Sequence, residues 1–232
     1  PLFDLAKKRT TTFLSRGMLA VESSPGREIV DPAWSPSTPH EAPSTKGILG
    51  IYNRSDRRRW YWKCPHCAEW FEPRPGVSLF HLPTDDELLE SVRGLDIDKF
   101  ARQYARAVCP HSGCLVGFEH RTAMNRDGRW LQDGLVIDDH DRVSGEARES
   151  SIAGYWLGGA AASYITWETL IRKHLQGLLE YALNGSELTL QTTTNTDQGM
   201  PYMSRHLADA QAAEGAGARV ETDLPRYVVP DE

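Results

Sequence analysis

All four cysteines of this 232-residue chain fall in two short runs, Cys64-Pro65-His66-Cys67 and Cys109-Pro110-His111-Ser112-Gly113-Cys114. Such spacing puts both thiols of a pair on one tight turn, stiffened by the proline after the first cysteine. In the second run Gly113 can take the positive φ that a tight turn needs. The fold has to bring these two turns together across 41 intervening residues, which hold little apolar periodicity of their own.

Three chemistries compete for that pattern. A dithiol redox centre needs one Cys-x-x-Cys at a helix start, not two matching turns. Disulfides fit an oxidising compartment, but Lys7, Lys8 and Arg9 have no apolar run behind them and give no secretory signature. Paired turns followed by strands bearing Trp, Phe or Val are how a zinc ribbon is built, with Cys64, Cys67, Cys109 and Cys114 as ligands. His66 or His111 could stand in for a cysteine, and Cys114, at the wider spacing, is the least fixed of the four. Four thiolates leave no open position, so a zinc held this way is structural rather than catalytic.

Composition narrows the class. Seven Trp, eight Tyr and six Phe supply core material that a disordered chain lacks. The longest charge-free run, residues 150–167, contains serines and glycines and is no membrane span. Charge is unevenly divided: residues 1–63 carry 11 Lys+Arg against 6 Asp+Glu, and residues 64–232 carry 15 against 26. The basic front includes Arg57, Arg58 and Arg59 beside the first cysteine turn. They can face a phosphate backbone, or stack on Trp60 and Trp62 and pair with Glu69 or Glu72.

Gly17 opens Met18-Leu19-Ala20-Val21, an apolar run that predicts a buried strand ending at Glu22-Ser23-Ser24-Pro25-Gly26. Four prolines over residues 31–47 predict an extended loop. Trp60-Tyr61-Trp62 predicts a strand into Cys64. Thr84 should cap a helix over Asp85–Val92, and Asp96 or Asp98 another through about Ala107. Asp127-Gly128 marks a turn before Trp130. Trp167, Leu170, Ile171, Leu175, Leu178, Leu179 and Ala182 form one helical stripe, capped by Thr166 and stopped at Asn184-Gly185. His174 lies on that stripe and reads as a core or boundary histidine. Arg205–Glu214 reads as a weak Ala-rich helix, and residues 215–232 as a linker.

No G-x-x-x-x-G-K-[ST] loop, Ser-His-Asp arrangement or H-E-x-x-H is present. Asp138, Asp139 and Asp141 sit between Gly134 and Gly145 and read as a solvated loop rather than a two-metal site. The chain opens on Pro1 rather than Met, which reads as a piece of a longer protein.

The order of segments resembles the GpA-like family of tailed-phage terminase large subunits, the ATP-driven DNA-packaging motors. The matching stretches are AKKRTTTF (6–13), GMLAVESSPG (17–26), YNRSDRRRWYWKCPHCAEWFEP (52–73), VCPHSGC (108–114), RDGRW (126–130) and GYWLGGAAASYITWETLIRKHL (154–175). The Arg-Trp-Tyr strand running into Cys-Pro-His-Cys is the most specific of them.

The resemblance implies an N-terminal ATPase, then this region, then an RNase-H-like nuclease, with both catalytic centres outside the chain. The implied fold is mixed α/β in pieces. Residues 1–52 would be the edge of a P-loop-type ATPase sheet, 53–130 zinc-ribbon hairpins with a helical insert, 131–214 a helical connector, and 215–232 a linker toward the nuclease. It further implies that Glu22, Ser23, Ser24 and Pro25 couple γ-phosphate loss to movement, with Ser37-Thr38-Pro39 as a second candidate. ATP and Mg2+ would serve the full-length protein. Double-stranded DNA, a terminase small subunit and the portal or procapsid would be its partners, with the full protein a homo-oligomer in the host cytoplasm. The competing reading is a free-standing zinc-ribbon adaptor for nucleic acid or protein, which leaves the matches at 17–26 and 154–175 unexplained.

Overall fold

The structure, a computed structural model, describes residues 2–29, 31, 33–43, 46–205 and 207. The helix expected over Arg205–Glu214 and the linker expected over 215–232 lie essentially outside them. Helix α1 spans Leu2–Lys8, followed by a 3-10 turn at Thr11–Arg16. The strand expected at Met18–Val21 does not form. That stretch has no ladder partner among the described residues, and Met18 is 86% exposed. Apolarity alone cannot make a strand where no neighbouring strand supplies hydrogen bonds.

After the proline-rich loop come helix α2 (Ile48–Tyr52), strand β1 (Arg58–Lys63) and strand β2 (Trp70–Phe71). β1 is the hub of a four-stranded sheet. It pairs antiparallel with β2 at Trp62↔Phe71 and Lys63↔Trp70. Helices α3 (Asp85–Ser91) and α4 (Ile97–Tyr104) lead to the hairpin of β3 (Arg106–Val108) and β4 (Leu115–Gly117). Thr84 closes a full capping box on α3, since its hydroxyl accepts from the Glu87 N–H and the Glu87 carboxylate accepts from the Thr84 N–H. Asp96 rather than Asp98 caps α4.

Helix α5 (Arg121–Asp127) turns at Gly128 into β5 (Arg129–Leu131), which pairs antiparallel with β1. The hairpin of β6 (Leu135–Ile137) and β7 (Val143–Gly145) then projects with Val136 exposed. Strand β8 (Tyr155–Trp156) adds to β1 in parallel, at Arg58↔Tyr155 and Arg59↔Trp156.

Helix α6 (Trp167–Asn184) begins on a Thr166 cap and ends at Gly185 in the left-handed region, φ +73°. Its apolar stripe, from Trp167 through Leu178, packs against α3, α4 and the short α7 (Leu188–Thr192). Trp62, Phe71, Val116, Trp167 and Leu175 belong to one continuous core, so both cysteine hairpins and α6 fold around the same interior. His174 is buried in that helix and donates from Nε2 to Asp85 at 2.9 Å. Among the described residues, no helix is long and apolar enough to cross a membrane.

Candidate metal centre

The two cysteine turns connect the strands of two separate hairpins, β1 to β2 and β3 to β4. In the first, the Cys64 N–H donates to the Glu69 carbonyl at 2.9 Å and the Ala68 N–H to the Cys64 carbonyl at 3.0 Å. In the second, the Cys109 N–H donates to the Cys114 carbonyl and the Gly113 N–H to the Cys109 carbonyl, both at 2.9 Å. These bonds curl each turn until its thiols face inward.

The core then holds the turns against each other. The Sγ atoms of Cys64, Cys67 and Cys114 all lie within 4.8 Å of one another, and Cys109 Sγ is 3.7 Å from Cys67 Sγ. That contact is too long for an S–S bond of about 2.05 Å. It suits thiolates sharing a tetrahedral ion, because Zn–S bonds of about 2.3 Å place neighbouring sulfurs about 3.8 Å apart. Donor type and spacing therefore fit a thiolate metal site at Cys64, Cys67 and Cys114, with Cys109 beside Cys67 but outside that mutual cluster. Cys64 and Cys109 are buried, while Cys67 and Cys114 are half-buried.

The thiols differ electrostatically. The Glu69 N–H and then the Ser112 hydroxyl hold the Cys67 thiol down at about 6. Burial pushes Cys64 and Cys109 up, and desolvation beside Cys67 does the same to Cys114. The histidines of the turns are occupied elsewhere. His111 Nε2 lies 3.0 Å from the Trp70 carbonyl, and the His66 ring meets that of His120 edge-on at 5.4 Å.

The arginine row has a different placement from the cysteines. Arg57, at φ +50°, is 7% exposed and paired with Glu41 and Asp133, each at 3.4 Å. Arg59 is 6% exposed, faces Glu72 at 3.3 Å and lies 3.7 Å from the centroid of Trp156. The expected partner Glu72 is thus found, while the stacking partner is Trp156 rather than Trp60 or Trp62. Arg58 pairs with Asp56 at 2.8 Å and stays partly exposed over the Tyr155 ring.

Glu22, Ser23 and Ser24 lie exposed in a segment without regular structure, with Pro25 buried. Ser23 Oγ donates to the Ser24 carbonyl at 2.9 Å. Asp138 pairs with Arg142, and Asp141 accepts from Lys63 and from the Trp70 indole.

Two features escaped the sequence reading. Asn125 Oδ1 accepts from the Trp62 indole at 2.8 Å, and the buried Arg121 donates to the Ala162 carbonyl at 2.8 Å, which pins α5 to the segment before α6. A cavity of about 870 Å3 also opens between the proline-rich loop and the start of α3, with Trp34, Glu72, Trp156 and Met200 on its walls. Neither feature has a short-range signal, since each is assembled from residues far apart in the chain.

Two hairpins presenting four thiols, packed with a sheet and a long helix around one core, define a mixed α/β protein with a candidate thiolate metal centre. Family models match nearly the whole chain: the ATPase domain of phage terminase large subunit gpA over residues 1–130, and the endonuclease domain of terminase large subunit gpA over residues 152–232. The chain belongs to the phage terminase large subunit gpA family. The ATPase match takes in both cysteine turns, and the endonuclease match begins ahead of β8 and so includes α6, the helix expected to be a connector. No curated protein and no solved structure matches the chain.

Proposed function

We propose that this chain is the part of a DNA-packaging terminase large subunit in which a structural zinc centre fastens the ATPase region to the beginning of the endonuclease region. The observation that carries this reading is the gathering of the Cys64, Cys67 and Cys114 thiols within 4.8 Å of one another, with Cys109 Sγ 3.7 Å from Cys67 Sγ, on hairpins that share one core with α6. Cys64, Cys67, Cys109 and Cys114 would hold the zinc. Bound to four thiolates, it would supply folding free energy and no open coordination position.

Within the whole motor, ATP and Mg2+ would drive packaging, the nuclease would cut concatemeric DNA, and the procapsid with its portal would receive it, in the host cytoplasm. Glu22, Ser23, Ser24 and Pro25 would form the coupling segment; the exposed hydroxyls of Ser23 and Ser24 support that role. Double-stranded DNA would meet the protein at Arg58, because Arg57 and Arg59 are buried whereas Arg58, though paired with Asp56, stays partly exposed. Contact with phosphates makes binding fall steeply with salt, and a flat salt response would count against it.

Chelation tests the metal reading. A structural zinc is worth about 10–16 kcal/mol in small peptides. Stripping the metal should therefore melt the hairpins over residues 60–120 and lower the unfolding temperature sharply. A melting curve unchanged by a strong chelator, with no zinc released, would overturn the reading.

A further inference from the structure

The chain is acidic overall, with a formal net charge of −6, and most of its cations are engaged within the fold. Among the described residues between 50 and 205, every Lys and Arg but three reaches a carboxylate, as Arg58, Lys63 and Arg126 do, or a backbone carbonyl, as Arg121 and Arg148 do. The three are Lys99, Arg102 and Arg106. All are exposed, and among the described residues their side chains make no ion pair, hydrogen bond or ring contact.

The local fold sets them in a row. Asp96 caps α4, Ala101 is fully buried, and Phe100 and Tyr104 stack at 4.2 Å while packing on the core. With that face of the helix held inward, Lys99 and Arg102, three residues apart, share the outward side. Arg106 opens β3, and the next residue, Ala107, is fully buried, so Arg106 points outward by strand alternation. Asp98, the one carboxylate within α4, is held by Arg172 at 2.7 Å and leaves the row unneutralised. Arg106 lies three positions before Cys109, so the second cysteine hairpin carries the end of the row.

We infer that Lys99, Arg102 and Arg106 form a further DNA contact, a stripe that meets the phosphate backbone of a duplex in addition to Arg58; this rests on the packaging reading above. A cation without a counter-ion from its own chain meets a phosphate with no ion pair to break, whereas Arg58 has to share Asp56. A protein partner would call for an apolar centre, and no large apolar side chain of α4 is exposed. Phosphate contacts fix position without reading sequence, which suits a motor that holds whatever DNA passes along it.

The test is fluorescence anisotropy of a labelled random-sequence duplex with the whole chain, over about 50 to 200 mM salt. Replacing all three residues by glutamine should weaken binding at least about tenfold at the lower salt and reduce the log–log salt slope by about 2.7, three phosphates at about 0.9 each. Lys99→Gln, Arg102→Gln and Arg106→Gln should singly remove about 0.9 each. Circular dichroism checks that the triple variant is folded, and Arg102→Glu alone replaces it if it is not. A wild type that binds no duplex overturns DNA contact by this chain, here and at Arg58 alike. A triple variant with the affinity and slope of a wild type that does bind overturns this stripe alone. Poly-L-glutamate that displaces the duplex as well as unlabelled duplex does, at equal charge, overturns DNA as the partner in favour of an acidic protein.

Discussion

The indole rings of Trp62 and Trp167 meet with centroids 6.2 Å apart and planes tilted by 42°. Trp62 lies two residues before the first metal-ligand candidate, and Trp167 is the first residue of α6. Both are fully buried, and each indole N–H is satisfied, by Asn125 Oδ1 and by the Ala160 carbonyl. Loss of the cysteine hairpins would therefore be felt in the helix. Hydrogen exchange after chelation should quicken in the first turns of α6 as well as in the hairpins.

Ser24→Ala in the full-length protein should leave ATP turnover in place while packaging falls. The serine is exposed, so a defect from unfolding is not expected. Normal packaging by the mutant, measured beside its ATPase rate, would sink the coupling assignment.

His40 gives a pH dependence with a definite sign. Its Nδ1 donates to the Arg57 carbonyl and its Nε2 accepts from the Tyr61 hydroxyl, both at 2.9 Å, and burial holds its pKa below the usual 6.5. Well above pH 6.5 the ring is neutral folded and unfolded, so its contribution to stability is complete. As pH falls below that value the unfolded chain takes up a proton that the folded chain refuses, and stability declines until the folded pKa is reached. Denaturant midpoints should fall between about pH 7.5 and about pH 5.5, and His40→Gln should flatten that slope. An equal slope in the variant would exclude His40 as the cause.

Gly177 lies where α6 packs against Leu190 of α7. A Cβ there would stand 2.9 Å from Leu190 Cγ and Cδ2 and 3.0 Å from the Leu190 backbone nitrogen. Alanine in a helix interior is worth up to about 1 kcal/mol over glycine. Overpacking a tight interior costs about 1–3 kcal/mol, and the backbone contact leaves little room to yield. Gly177→Ala should therefore destabilise by about 1 kcal/mol in chemical denaturation; a more stable variant would mean that α7 moves freely.

What the sequence disclosed was local. The Thr166 cap, the stripe through Leu178 and the stop at Gly185 depend on residues within a few turns of one another, and so do the capping box at Thr84 and the two cysteine turns. Partnership across the chain was hidden. Met18–Val21 is as apolar as a buried strand, yet strand formation depends on a neighbour that those four residues do not specify. Glu72 was legible as a partner for the arginines, but the pairing of Arg57 with Asp133, 76 positions away, was not. The place where the endonuclease region begins carries no punctuation either, because β8 is only two residues long and its ladder lies in β1.

That last pairing bears on how such a motor can be dissected. Tyr155 and Trp156 come from the endonuclease match, whereas Arg58 and Arg59 come from the ATPase match, and all four lie in one sheet. The sequence boundary between the two regions is therefore not a seam in the molecule. A truncation after residue 130, drawn to isolate the ATPase, would strip a parallel neighbour from β1 and lay bare the stacked Arg59. The bared edge would invite pairing with other chains. A single backbone nick in the exposed β6–β7 hairpin would instead leave the halves clasped together, as a non-covalent pair that separates only on denaturation.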